Sequence, residues 1–320
     1  MTTKIIGTGR CLPETVVTND DLSKIMDTSD EWISSRTGIR ERHIAKDETT
    51  ATMSAEAAKK ALAQAGLEAS DIDLIIVGTL TGDYVTPSTA CEVQSLIGAT
   101  NAVAFDVNAA CSGFMFALNT AHVYLQAGIY KNALIIGAET LSKIMDWNDR
   151  GTCVLFGDGA GAAVVTSGDN GLLSFTQGSD GSKGMVLACQ NRTNNNPLIS
   201  TSKELAYTYM DGQEVYKFAV SKVPDSIKQV LAEANLEVDD IKYFILHQAN
   251  IRIIQSVAKR LKVSEDRFPI SLDHCGNISA GSVPILLDEV NEKGMLQKGD
   301  KIVMAGFGAG LTWSACVMEW

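Results

Sequence analysis

The hydrophobic and polar positions of the chain alternate between two kinds of segment. In residues 51–66 the apolar residues, mostly alanine, recur at helical spacing and end at a glycine suited to terminate a helix. Residues 74–77 are a continuous apolar run, which is typical of a strand covered on both faces. Residues 102–107 and 112–128 repeat the alternation as a strand and then a helix. The pattern predicts an α/β fold.

The sequence also contains an internal repeat. Residues 62–76 (LAQAGLEASDIDLII) match residues 231–245 (LAEANLEVDDIKYFI), and residues 133–139 match residues 302–308 at the same separation of 169 positions. Two matches in one register predict two halves of similar fold, residues 1–170 and 171–320. Because each sheet needs both faces covered, two packed α/β halves predict a layered α/β/α/β/α sandwich.

Composition narrows the class of protein. The 320 residues include 27 Lys and Arg against 38 Asp and Glu, a formal charge of −11, so an anionic partner requires a local basic patch and nucleic acid is not an expected partner. The N-terminus does not resemble a secretory signal, and polar residues interrupt the longest uncharged stretch, residues 107–130. We therefore expect a cytoplasmic protein with no membrane span.

The seven cysteines are scattered and include no Cys-x-x-Cys pair, which predicts neither a disulfide framework nor a metal site. Cys111 differs from the others because it follows a predicted strand and opens a predicted helix among small residues. A helix N-terminus favours a thiolate, so Cys111 is a candidate nucleophile, although a cysteine between alanine and glycine is more often a buried small hydrophobe.

Two further polar residues occupy comparable places. His247 lies just past an apolar strand, where it is either a donor of hydrogen bonds and protons or a capped surface histidine. Asn277 lies in a Gly/Ser-rich loop that we expect to follow an apolar strand and to precede a helix beginning near Val283. Since Cys111 and Asn277 belong to different halves, facing halves would bring the two side chains together.

The segments AACSGF around Cys111, HQAN around His247 and GNISAGS around Asn277 occur together with the closing GFGAGLTW. Together they resemble β-ketoacyl-acyl carrier protein synthase III, a condensing enzyme of the thiolase superfamily, over essentially the whole chain. The resemblance implies a thiolase-like fold, a homodimer, and no cofactor beyond its substrates. It also implies a reaction that starts fatty acid synthesis, the decarboxylative condensation of an acyl-CoA primer with malonyl-acyl carrier protein.

The resemblance also implies a role for each residue. Cys111 carries the acyl group, and the backbone N–H groups of Cys111 and Ala309 form the oxyanion hole. His247 and Asn277 donate hydrogen bonds to the malonyl thioester carbonyl. An asparagine cannot take up a proton, which favours decarboxylation over abstraction by a base. Cys275 is interpreted as a packing residue, together with His274, and not as a second catalytic cysteine.

Substrate-binding residues follow from the same resemblance. The implied CoA-binding residues are Thr28, Trp32, Arg36, Arg150, Gly151 and Asn250, with Trp32 and Arg150 enclosing the adenine. An acyl pocket would include Thr86 and Phe307; the best-known members have phenylalanine where this chain has Thr86, which predicts room for longer or branched primers.

A basic patch is also present. Arg252, Lys259 and Arg260 are spaced to share one face of the predicted helix after His247, and with Gln248 they are candidates for docking an acidic carrier protein, although such a face is also common without a partner. Two alternatives remain open: a related secondary-metabolite ketosynthase or acyltransferase with the same Cys-His-Asn triad, and a non-catalytic protein of the same fold.

Overall fold

The structure, a computed structural model, describes residues 2–193, 196–198 and 207–320. Its helices are α1 Asn19–Leu22, α2 Asp30–Thr37, α3 Thr50–Ala65, α4 Thr89–Ile97, α5 Gly113–Gln126, α6 Gly212–Glu233, α7 Ile251–Leu261, α8 Leu272–Cys275 and α9 Ser282–Glu292. Its strands are β1 Thr2–Cys11, β2 Val16–Thr18, β3 Glu41–His43, β4 Leu74–Gly78, β5 Val103–Val107, β6 Asn132–Thr140, β7 Asp158–Gly168, β8 Leu172–Ser179, β9 Leu187–Ala188, β10 Tyr209–Met210, β11 Ile241–Leu246, β12 Lys301–Gly308 and β13 Thr312–Glu319. Among the described residues, no helix is long and apolar enough to cross a membrane.

Two mixed sheets form the framework. The first is five-stranded with the order β1-β7-β6-β4-β5, in which β4 pairs parallel with β5 and β6, and β7 pairs antiparallel with β1 and β6. The second is four-stranded with the order β11-β12-β13-β8, parallel between β11 and β12 and antiparallel elsewhere. Strands β4 and β6 are buried along their whole length, which agrees with the uninterrupted apolar sequence of β4 and the apolar centre of β6.

Helices cover both faces of each sheet. Helices α3 and α4 pack on the outer face of the five-stranded sheet, α6 and α7 pack against the four-stranded sheet, and α5 and α9 fill the layer between the sheets. This is the α/β/α/β/α sandwich that the sequence predicts. Because α5 and α9 are buried between two apolar surfaces, they anchor the loops at their N-termini.

The internal repeat has a structural counterpart at the same separation. A 3-10 turn closed by a Glu68–Asp71 capping box has its equivalent in a turn closed by Glu237–Asp240. Helices α5 and α9 both begin just after a one-turn 3-10 helix, and the first residues of these turns, Ala110 and Ser279, share a φ of 46°. Each half thus presents a tight turn at the start of its central helix.

One local prediction is wrong. Asn277 does not follow a strand: the preceding element is the short helix α8, and Gly276 with a φ of 67° reverses the chain after it. The segment before Asn277 contains Pro269 and several polar residues, which disfavour a central strand. The predicted helix after the loop is present as α9.

Candidate active site

Cys111 lies in the 3-10 turn Ala110–Ser112, between the end of β5 and the start of α5. The end of β12 packs directly against it. A Cβ added to Gly308 would be 2.8 Å from the Cβ of Cys111 and 3.1 Å from its Sγ. Glycine at position 308 therefore permits the close approach of the two halves at the candidate nucleophile.

The thiol of Cys111 is buried, which changes the expectation drawn from its place before a helix. Removal from water raises its pKa to about 12, outweighing the lowering by the Ser279 hydroxyl. Burial thus opposes the thiolate that a helix N-terminus favours. Cys111 is a thiol at neutral pH and has to lose its proton as it reacts.

His247 immediately follows β11, and its backbone N–H donates to the carbonyl of Ala305 on β12 (2.8 Å). Its ring is buried and meets the ring of Phe307 edge to face, with 5.0 Å between the centroids. Burial lowers the pKa of His247 to about 3. The imidazole is therefore neutral at physiological pH and can donate one hydrogen bond.

The backbone N–H and the backbone carbonyl of Asn277 are both hydrogen-bonded. Its N–H donates to Leu155 (2.9 Å), and its carbonyl accepts from Gly157 (3.0 Å). The side-chain oxygen accepts from the backbone N–H of Ser279 (2.8 Å). Because the oxygen is engaged in this way, the amide nitrogen of Asn277 is the group left to donate to a ligand.

A single cavity of about 140 Å³ brings the three predicted side chains together. Cys111, His247 and Asn277 all line it, with Phe307 beneath the histidine. An apolar side cavity of about 60 Å³ extends from Cys111. Among its lining residues are Leu80, Leu141, Ile144, Met145, Phe156, Cys189, Thr208 and Ala309.

Thr86 is not among the described residues that line these two cavities. It lies in an open groove with Tyr84, Asn108 and Gly310. Within this chain, Thr86 therefore does not widen the space next to Cys111 in the way that the sequence comparison predicted. Phe307 lines the cavity of the three side chains and not the apolar side cavity.

Trp32 on α2 lies between two arginines. The guanidinium carbons of Arg36 and Arg150 are 4.7 and 5.1 Å from the ring centroid. Arg150 also donates to the backbone carbonyl of Asp27 (2.5 Å), next to Thr28, and Gly151 is exposed beside it.

Asn250 is the N-cap residue of α7 and lines the cavity of Cys111, His247 and Asn277. Its side-chain amide donates to the backbone carbonyl of Arg36 (3.1 Å). Of the predicted CoA-binding residues, Asn250 lines the cavity of Cys111, and its hydrogen bond to Arg36 links this cavity to the group around Trp32.

Arg252, Lys259 and Arg260 are exposed on α7, as their spacing predicts. Gln248 differs from them because it is buried, and both the nitrogen and the oxygen of its side-chain amide are hydrogen-bonded. Its nitrogen donates to Leu246 and its oxygen accepts from the backbone N–H groups of Ser271 and Leu272. The prediction that Gln248 docks the carrier protein is therefore wrong, because its side chain is buried. The sequence next to His247 gave no sign that the amide of Gln248 closes a buried turn.

Sequence reasoning missed Glu139, a buried carboxylate at the end of β6. One of its oxygens accepts hydrogen bonds from the hydroxyls of Thr79 and Thr81 and from the backbone N–H groups of Leu80 and Thr81. Burial raises the pKa of Glu139 to about 7, and the Ser279 hydroxyl lowers it, as it does for Cys111. Glu139 follows a run of apolar residues, as His247 does, and this was the feature of the sequence that could have indicated a functional residue.

Replacing Glu139 with glutamine is expected to flatten the dependence of stability on pH. A carboxyl group whose pKa rises from 4.5 to about 7 on folding binds its proton more tightly in the folded chain, so stability falls as pH rises through this range. At about 1.4 kcal/mol per unit, the loss is about 3 kcal/mol. We expect urea unfolding at pH 5 and 7.5 to show this difference in the wild type and not in Glu139→Gln. An equal loss in both proteins would contradict it, and Glu56→Gln on the surface is the control.

Comparisons with known proteins agree with this geometry. Residues 105–181 match the family model described as 3-oxoacyl-[acyl-carrier-protein (ACP)] synthase III, and residues 231–320 match the model of its C-terminal part. A β-ketoacyl-[acyl-carrier-protein] synthase III from Clostridium novyi is 53% identical over 319 residues, covering 99% of this chain and 98% of the relative. The crystal structure of the synthase III from Aquifex aeolicus superposes with a TM-score of 0.94 at 44% identity, covering 99% of this chain and all of that one.

The fold and these matches define the chain as an acyl-transferring condensing enzyme with a thiolase-like fold. Within that class, the chain belongs to the 3-oxoacyl-[acyl-carrier-protein] synthase III family. The resemblance seen in the sequence is thereby confirmed, as is the predicted fold.

Proposed function

We propose that this protein condenses an acyl-CoA primer with malonyl-acyl carrier protein, releasing CO2 and forming a 3-ketoacyl thioester that starts fatty acid synthesis. The observation that carries the proposal is the meeting of Cys111, His247 and Asn277 in one buried cavity, although they lie far apart in the sequence. Membership of the synthase III family supports the same reaction.

In the first half-reaction, the sulfur of Cys111 attacks the carbonyl carbon of the primer thioester. The bond to the CoA sulfur breaks, CoA leaves as its thiol, and the acyl group stays on Cys111. The oxyanion formed on the way would accept hydrogen bonds from the backbone N–H groups of Cys111 and Ala309. The close packing of Gly308 against Cys111 supports this arrangement, because it brings the Gly308-Ala309 backbone next to the sulfur.

In the second half-reaction, malonyl thioester loses CO2 and the resulting carbanion attacks the acyl carbon on Cys111. The bond from this carbon to the sulfur breaks, and Cys111 leaves as a thiolate that takes up a proton from solvent. Negative charge develops on the malonyl thioester oxygen, where donors from the neutral ring of His247 and the amide of Asn277 would stabilise it. Neither side chain has to exchange a proton. Decarboxylation itself supplies the electron pair for the new carbon–carbon bond.

The side cavity supports a short primer. Its volume is about 60 Å³, against about 140 Å³ for the cavity that holds Cys111, His247 and Asn277. Its walls next to Cys111 are mostly aliphatic or aromatic side chains, so an unbranched chain of few carbons fits the space without leaving a polar group unpaired. We therefore propose primers at the short end of the range from C2 to C8.

We further propose that Trp32, Arg36 and Arg150 bind the nucleotide end of CoA. The indole offers a flat face to adenine, and guanidinium groups suit phosphate and aromatic partners. We assign Thr28 and Gly151, which lie close in sequence to these residues, and Asn250, which lines the cavity, to the same substrate.

Arg150→Ala is expected to raise the KM for acyl-CoA about 10-fold with little change in kcat, because a lost cation–π and phosphate contact is worth roughly 1–2 kcal/mol. Steady-state kinetics with varied acyl-CoA measure both constants. Arg40→Ala is the matched control, since Arg40 is exposed near the same helix and pairs with Asp30 at 3.9 Å. A fall in kcat at unchanged KM would contradict nucleotide binding by Arg150.

The carrier protein is proposed to dock on α7, where Arg252, Lys259 and Arg260 are exposed. Arg252 donates to the backbone carbonyl of Ser35 (3.0 Å), which links α7 to the helix that carries Trp32. Lys259→Glu is expected to raise the KM for malonyl-acyl carrier protein several-fold, and less at high salt, without affecting the KM for acyl-CoA. Lys228→Glu on α6 makes the same charge change elsewhere; an equal effect there would count against docking on α7.

A homodimer and a cytoplasmic location are part of the proposal. Strand β5 ends the five-stranded sheet with Val103 half exposed, and Tyr84 and Val85 expose apolar side chains, features that favour pairing with a second copy. All seven cysteines are free, which supports a reducing compartment.

The experiment that tests the function is intact-mass spectrometry after mixing the protein with acyl-CoAs from C2 to C8, followed by addition of malonyl-acyl carrier protein. We expect an acyl adduct on the peptide containing Cys111, strongest for a short chain, and its discharge with release of CO2. Failure of every acyl-CoA to form an adduct would overturn the proposal. An adduct that is discharged without CO2 would favour a simple acyltransferase.

A related ketosynthase of a secondary pathway is the second candidate. The priming β-ketosynthase of the R1128 polyketide pathway superposes with a TM-score of 0.93 at 34% identity, covering 99% of this chain. Its identity to this chain is well below the 53% of the clostridial synthase III, so the first proposal is favoured. Preference for one carrier protein over another in the condensation assay separates the two.

A further inference from the structure

Three side chains with metal-ligating atoms lie together outside the cavity of Cys111. The Nε2 of His274 is 2.9 Å from Oε1 of Glu289, and the Sγ of Cys275 is 3.9 Å from the same oxygen. The three atoms all lie within 4.8 Å of one another. His274 and Cys275 are the last two residues of helix α8, and Glu289 lies on helix α9, so all three ligands belong to helices.

We propose that His274, Cys275 and Glu289 form a binding site for Zn2+, with water as the fourth ligand. A nitrogen, a sulfur and an oxygen ligand are the set that zinc binds, at about 2.0–2.1, 2.3 and 2.0–2.2 Å. Tetrahedral geometry with these bond lengths puts the ligand atoms roughly 3.3–3.8 Å apart. The present separations require shifts of an ångström or less. Hydrogen bonds to Asp273 and Glu289 raise the pKa of His274, so the free protein holds an imidazolium there. On binding, the thiol of Cys275 and the Nε2–H of His274 each release a proton to solvent, and Nε2 then binds through its lone pair.

The surroundings of His274 support this assignment. Its second ring nitrogen, Nδ1, is 3.0 Å from a carboxylate oxygen of Asp273. A zinc-bound histidine usually donates its other N–H to a carboxylate, which fixes the ring. The side chain of His274 is 36% exposed, whereas Cys275 and Glu289 are buried. The site is therefore open to solvent on one side, where ion and water can enter.

The charge balance limits the affinity. Asp273, Asp288, Glu289 and Glu292 carry four negative charges here, against the fixed positive charges of Arg10 and Lys293 and the imidazolium of His274, which loses its charge when it binds the ion. Arg10 is bonded mainly to Asp288 (2.6 Å) and Glu292 (2.7 Å), and its Nε is 3.9 Å from Glu289. A divalent ion would neutralise the local excess, but the two cations oppose it. We therefore expect micromolar and not nanomolar binding.

The test is titration of the full-length protein with Co2+ as a spectroscopic probe, followed by Zn2+ competition. We expect one equivalent of Co2+ and a thiolate-to-cobalt charge-transfer band that Zn2+ abolishes. The band should be lost in Cys275→Ser and retained in Cys111→Ser. The second comparison matters because Cys111 and His247 also share a cavity.

A variant with a milder effect makes the test independent of folding. Asp273→Asn keeps all three ligands and is expected to weaken Co2+ binding about 10- to 100-fold, as is usual for a group that orients a metal-bound histidine. Zn2+ should also raise the melting temperature of the wild type and of Cys111→Ser. Absence of a thiolate band at millimolar Co2+, a band that persists in Cys275→Ser, or one that disappears in Cys111→Ser would overturn the proposal.

Discussion

Cys111→Ser is expected to abolish the acyl adduct and to lower the condensation rate on the order of 10³-fold or more, because it removes the atom that carries the acyl group. The sulfur is buried against Gly308, and serine occupies slightly less space, so the fold should be retained. The measurements are intact mass after mixing with acyl-CoA and release of CO2 from malonyl-acyl carrier protein.

A second cysteine provides the control for this experiment. Cys91 is exposed on α4, at a distance in sequence and structure from the cavity, so Cys91→Ser should keep both the adduct and the rate. An adduct of full intensity in Cys111→Ser would place the acyl group elsewhere and would contradict the role of Cys111. Loss of the adduct in Cys91→Ser would show that the assay reports stability and not chemistry.

The fold could be predicted from the sequence because its signals are local and repeated. Helix α3 and strand β4 appear within a residue of their predicted ends, since an alanine-rich helical pattern and an uninterrupted apolar run have few alternative interpretations. The repeat then predicted the second half from the first. Ala110 and Ser279, which occupy equivalent positions of the repeat, have the same φ, so the duplication is visible in the backbone conformation as well as in the sequence.

The environment of the candidate site was less predictable. A helix N-terminus is visible in sequence, but the burial of Cys111 depends on Gly308, almost 200 positions away, and burial decides the pKa of the thiol. Gln248 is a similar case. Its neighbour in sequence lines the cavity, whereas its own amide closes a turn with Ser271 and Leu272.

Single residues surrounded by apolar sequence were also easy to overlook. Glu139 ends a strand that otherwise predicts only core packing, and its hydrogen bonds come from a loop some 60 positions earlier. His274 and Cys275 were interpreted as packing residues because they flank Asn277, and their contact with Glu289 on a separate helix is not visible in the sequence. Pairings over such distances in the chain leave no periodic signal.

His247→Ala and Asn277→Ala are expected to separate the two half-reactions. Each variant should still form the acyl adduct on Cys111 but should lower the rate of CO2 release and condensation about 10²- to 10³-fold, the usual cost of removing one donor to a developing oxyanion. Intact mass follows acylation, and CO2 release follows the second step. His122→Gln is the control, because His122 is a half-buried imidazole that bonds Thr3 outside the cavity. Equal loss of adduct and CO2 release would contradict the division of roles.

The pH profile adds a second test of His247. Burial lowers its pKa to about 3, so the ring is already neutral throughout the range from pH 5 to 8. As pH rises through this range, the ring neither loses a proton nor changes its capacity to donate, and the condensation step of the acylated enzyme should show no titration assignable to His247. A step near pH 6.5 that disappears in His247→Ala would contradict a neutral donor and would indicate that this histidine exchanges a proton during catalysis.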